Sequence, residues 1–186
     1  QSPSSGTYAQ SRVIKITYTA TNIQTPEYYF KSSVAATVAS GVVTHACGTS
    51  TNPGTCSASS VTTLAANTWY KTSSTTPSIT YTQNGYLYAQ TWDPADNTAA
   101  ASTFTITNVD TAVPTVSVAV SGKIATITLK DNLSLAGYAV NTSSTAVSSW
   151  TSITGTSATK TWTATEAGTY YAWVKDSSGR TAKLSF

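Results

Sequence analysis

The sequence predicts an all-β protein made of two tandem, two-sheet sandwiches. Three observations lead there: short segments alternate apolar with hydroxyl residues, no window sustains a 3.6-residue apolar period, and one stretch of the chain recurs. Alternation is plain at residues 116–120, 125–129 and 104–106, the two-residue period of a half-buried strand. Of the 186 residues, 27 are Ser and 38 are Thr, and β-branched Thr suits a pleated surface. The apolar share of 40%, with 19 aromatic residues, is too high for a disordered chain. About seven short strands per unit, separated by Asn, Asp, Gly and Ser turns, need a second sheet to cover their apolar face.

The repeat sets the domain organisation. Residues 85–99 (GYLYAQTWDPADNTA) and 168–182 (GTYYAWVKDSSGRTA) align without a gap, 83 positions apart. Each reads as a turn at Gly85 or Gly168, an alternating strand, a tight turn opened by Asp and closed by Asn or Gly, and a last strand. Upstream, residues 78–82 fall opposite 161–165 at the same spacing, whereas 13–18 match 124–129 at a spacing of 111. The first unit therefore carries about 28 extra residues between Ser33 and Trp69, both cysteines among them. The expected domains are 1–108, with an insertion at about 34–68, and 109–186. Pro114, just past the join, lacks an N–H for a central ladder and suits a strand start.

The formal charge of +3 is shared out, with 4 basic and 3 acidic residues up to Asn108 and 6 basic and 4 acidic after it. No basic face emerges, so no nucleic-acid partner is expected. No apolar run approaches a bilayer-spanning length, so no membrane insertion is expected in this segment. Residues 1–6 lack the basic and apolar regions of a signal peptide and the chain has no Met, which suggests a processed or excised piece. Rich in hydroxyls and poor in charge, the composition points to an extracellular setting.

With these motifs in view, the endings at 168–179 and the join at 108–115 resemble tandem bacterial immunoglobulin-like domains of cell-surface or phage virion proteins. The resemblance covers nearly the whole chain and is clearer in the second unit. It implies two immunoglobulin-like β-sandwiches acting as non-catalytic spacers or binding modules, on a cell surface and among neighbouring domains or subunits. Residues 167–172 look like the tyrosine corner of such domains, with Tyr170 bonding back to upstream backbone. Ala172 then stands where the inter-sheet cysteine would be, and Ala89 does so in the first unit, so neither has that disulfide. Where the family closes its turn with Gly-Asn, this chain has Asp96-Asn97 and Gly179-Arg180.

Five groups of residues are candidates for chemistry. Cys47 and Cys56 flank a loop with Pro-Gly turn chemistry and are expected to form a local disulfide, which implies an oxidising compartment. The stapled loop either presents a binding tip or protects the insertion. If Leu87 and Ala89 face the core, alternation turns Tyr86, Tyr88, Gln90 and Trp92 outward, with Tyr171, Trp173 and Lys175 doing so in the second unit. Such aromatics pack under neighbouring loops, or bind a glycan, a host protein or another subunit. Asp93, Asp96, Asp110, Asp131 and Asp176 sit at predicted turns, where they form Asx turns or hold calcium between domains; no Asp-x-Asp-x-Asp run is present, so no metal is expected. His45 with the two cysteines lacks a fourth zinc ligand. Glu27 and Glu166 fall in different domains, and His45, the only imidazole, is far from any nucleophile elbow. No catalytic residue and no cofactor are expected. The function read from the sequence is a non-catalytic extracellular spacer of a surface protein or adhesin; the alternatives are a self-assembling filament or phage-fibre subunit, or a glycan- or host-protein-binding module.

Overall fold

A computed structural model describes residues 8–19, 26–49, 55–93 and 100–186. Among them the chain is all-β, without helix, and its sixteen strands form four antiparallel sheets. They group into two compact units, residues 11–109 in one and 110–186 with 8–10 in the other.

The first unit contains β1 (Arg12–Lys15), β2 (Glu27–Ser32), β3 (Ala36–Val38), β4 (Thr44–Gly48), β5 (Thr63–Leu64), β6 (Trp69–Thr72), β7 (Ser78–Tyr81), β8 (Gly85–Trp92) and β9 (Ser102–Ile106). One sheet runs β1-β7-β3-β5 and the other β4-β6-β2-β8-β9. Nine strands, not about seven, are present, because the insertion contributes β3 and β5 to one sheet and β4 to the other. The insertion thus widens both sheets: β4 and β5 are edge strands, β3 lies between β7 and β5, and Ala36, Val38 and Leu64 from these strands join the core. That core takes alternate residues from both sheets: Phe30, Leu64, Ile79, Tyr81, Leu87 and Ile106. Each such side chain contributes about 1.5–3 kcal/mol by leaving water.

The second unit contains β10 (Thr115–Ser121), β11 (Ile124–Lys130), β12 (Leu135–Asn141), β13 (Thr151–Ser152), β14 (Ser157–Thr163), β15 (Tyr171–Asp176) and β16 (Thr181–Ser185). Its sheets run β10-β11-β14 and β13-β12-β15-β16. Edge strand β10 begins directly after Pro114. Ala125, Ile127 and Leu129 of β11 meet Leu135, Ala172 and Val174 from the facing sheet. Trp162 fills the space beside these small residues, with its ring 4.5 Å from Tyr170 and 5.8 Å from Phe186. The pairing Ile14↔Ile79 in the first unit recurs as Ala125↔Trp162 in the second, displaced by the same 111 and 83 positions that relate the sequence segments.

Candidate functional site

In the first unit the outward side of β8 is not bare. Tyr29, Cys47 and Trp69 form a second, smaller apolar cluster, with Cys56, Tyr88 and Trp92 packed against it. The Trp92 ring lies 5.9 Å from Tyr29, and Lys31 Nζ lies 5.0 Å from the centre of Trp69 and 4.9 Å from Tyr88. Gln90, expected to face out, is buried, because its neighbour across the ladder is Tyr29 and this cluster covers both. Tyr86 alone of the row is largely open, at 48% exposure.

The second unit repeats the pattern with other parts. Trp173 Nε1 donates to Asn141 Oδ1 at 3.2 Å and to Ser143 O at 3.3 Å, so the indole is roofed by the loop after β12. Lys183 Nζ lies 4.9 Å from the Trp173 ring and 5.8 Å from Tyr171, and it also donates to Ser144 O. Lys175 Nζ lies 4.9 Å over Trp150. Cation–π contact needs the ring face, the surface a sugar would stack on. Tyr170 Oη donates to Glu166 O at 3.0 Å, a link back to backbone four residues upstream.

Cys47 and Cys56 are joined by a disulfide. Both thiols are consumed, so they offer no thiolate to zinc beside His45. The bond points to an oxidising, non-cytoplasmic setting. Its Pro53-Gly54 turn lies outside the described residues, as do Asp96-Asn97 and residues 1–6. Glu27 accepts from Tyr29 Oη at 2.5 Å and pairs with Lys71. Those two bonds, Lys71's foremost, hold the Glu27 carboxyl below its ordinary range, while burial and then Glu27 itself push the Tyr29 phenol up.

Three of the five candidate aspartates converge, all within the second unit. Register brings their segments to one end of it: Thr115, five residues after Asp110, pairs with Lys130, the residue before Asp131, and Leu135 pairs with Asp176. One carboxylate oxygen from each lies within 4.8 Å of the others. Asp110 Oδ1 accepts from Ala112 N at 3.2 Å, Asp131 Oδ1 from Leu133 N at 2.9 Å and Ser134 N at 2.7 Å, and Asp176 Oδ1 from Ser178 Oγ at 2.9 Å and Arg180 N at 2.8 Å. Gly179, at φ 90°, supplies the left-handed residue that closes the last of these turns. Burial raises the Asp110 carboxyl above its ordinary range, with Asp131 and Asp176 adding repulsion and Ala112 N–H and Arg180 opposing. In comparison with known proteins, the chain matches no family model and no curated protein sequence. The grouping of these three is not legible from spacing, since their carboxylates come from three separate turns that only the folded strand ladders bring together.

Proposed function

We propose that the chain is a non-catalytic structural segment of an extracellular bacterial surface protein, two immunoglobulin-like sandwiches in tandem that space and display their neighbours. The observation that supports it most is the covering of the outward aromatics other than Tyr86 by the chain's own side chains and loops. Tyr29, Tyr88, Trp92, Tyr171 and Trp173 work as outer cores that stiffen the sheets, and their ring faces are already engaged. The disulfide agrees with an extracellular place. Partners are neighbouring domains or subunits, with no nucleic acid and no cofactor involved. A glycan array probed with the intact chain and with Trp92→Ala and Trp173→Ala tests this. The spacer reading expects no signal that depends on either indole; aromatic-dependent binding favours the glycan- or host-protein-binding module instead.

A second reading, a self-assembling filament or fibre subunit, draws on a different observation. Strands β1 and β9 end their respective sheets, and a groove of about 640 Å³ lies beside them, lined by Ile14, Ile16, Tyr18 and Phe104. Phe104 is 47% exposed. Unpaired edges with apolar side chains are templates for an incoming strand. Electron microscopy of the chain at high concentration separates the two: fibres favour assembly, and dispersed particles favour the spacer.

A further inference from the structure

We propose that Asp110, Asp131 and Asp176 form a calcium site at one end of the second unit. Independent of their closeness, the Oδ2 atom of each is buried without a hydrogen-bond partner. Asp110 and Asp176 are each 1% exposed and Asp131 is 9% exposed. Buried carboxylates are ordinarily paired or bound to metal. Here every Oδ1 is already held by its own turn, which fixes each side chain and leaves the three Oδ2 atoms without a protein donor. The cluster carries three negative charges, and the Arg180 guanidinium, whose field reaches Asp110, offsets one. The remaining charge of about −2 calls for a divalent cation.

The donor set selects among cations. Carboxylate oxygens alone favour a hard ion over zinc or copper. Calcium bonds at 2.3–2.6 Å and so bridges oxygens up to about 5 Å apart, whereas magnesium at 2.0–2.1 Å reaches only about 4 Å; the cluster's limit of 4.8 Å lies within calcium's reach. Three ligands fall short of calcium's usual six to eight, and Arg180 repels the ion. Both features place the site among the weak ones of extracellular modules, with Kd of about 0.1–1 mM. The ion would tie the segment before β10, the β11–β12 turn and the β15–β16 turn into one end.

Calorimetric titration of the whole chain with calcium chloride, and separately with magnesium chloride, tests the site. One calcium should bind with Kd of about 0.1–1 mM and raise the melting temperature, with magnesium at least several-fold weaker. Asp110→Asn and Asp176→Asn keep the Oδ1 acceptors that their turns need and should each weaken binding at least about tenfold. Arg180→Gln, which removes the opposing charge, should tighten binding several-fold and does not depend on the Asn variants folding. No heat at about 10 mM calcium, equal affinity for magnesium, unchanged binding in a folded Asp110→Asn/Asp176→Asn double variant, or no tightening in Arg180→Gln overturns the proposal.

Discussion

Gly85 and Gly168 hold matching places in the repeat, yet their surroundings differ. A Cβ on Gly85 would lie 2.8 Å from Ser33 Oγ and 2.9 Å from Val34 Cγ2, whereas one on Gly168 meets nothing within 4 Å. Sequence reasoning treats both as turn glycines; the steric need at Gly85 arises from residues fifty positions away. Gly85→Ala should therefore destabilise the first unit by about 1–3 kcal/mol through overpacking. Gly168→Ala should be neutral or stabilise the second by up to about 1 kcal/mol, since it narrows the unfolded ensemble. Urea unfolding of both variants checks the asymmetry. Glu27 makes a second test at this scale. Its carboxyl is depressed chiefly by Lys71 and then by Tyr29, so its contribution is present above the ordinary value of 4.5 and fades as pH falls through the folded value. Glu27→Gln should flatten the loss of stability between about pH 5 and pH 3. The change should be small, because about a third of each partner's side chain stays in water. Acid titration followed by circular dichroism reads it; a wild-type slope retained in the variant contradicts the assignment.

Among the elements, the insertion shows most clearly what sequence does and does not carry. Its approximate extent was visible from the change of spacing between repeat segments, 111 against 83 positions. Its destination was not, because β3 and β5 are short and pair with strands distant in sequence. The same limit applies to the outward aromatics. Parity on β8 predicted which side chains leave the core, but Gln90 is covered because an insertion residue, Cys47, helps build an outer cluster over that face. The Cys47–Cys56 bond, with a sequence separation of 9, closes a short loop and should stabilise the first unit by about 2–3 kcal/mol in the chain-entropy model. Reduction should also loosen the packing on Trp69. Thermal melts with and without reductant, followed by Trp fluorescence, should show the first unit weakened by that amount and the second unchanged. Equal loss in both units would mean that the bond acts otherwise.

Across the whole molecule, one pleated pattern used twice accounts for most of what was readable. Alternation chose the buried set because successive side chains point to opposite faces; Leu87, Ile127 and Val174 are all fully buried. Function was far less readable, since the residue types that bind ligands also stiffen sheets. Only the folded structure tells a covered Trp173 from an open one, or a trio of aspartates from three solitary turns. Both units share one strand register between their equivalent strands. In an antiparallel ladder, residues in non-hydrogen-bonded pairs bring their Cα atoms to about 4.5 Å, close enough for a strong nuclear Overhauser contact between their Hα protons. Val13↔Thr80 in the first unit and Ile124↔Thr163 in the second are equivalent pairs of this kind. NMR spectra of the intact chain should contain both Hα–Hα contacts; contacts displaced by one residue, or joining Val13 to Thr163, would contradict it.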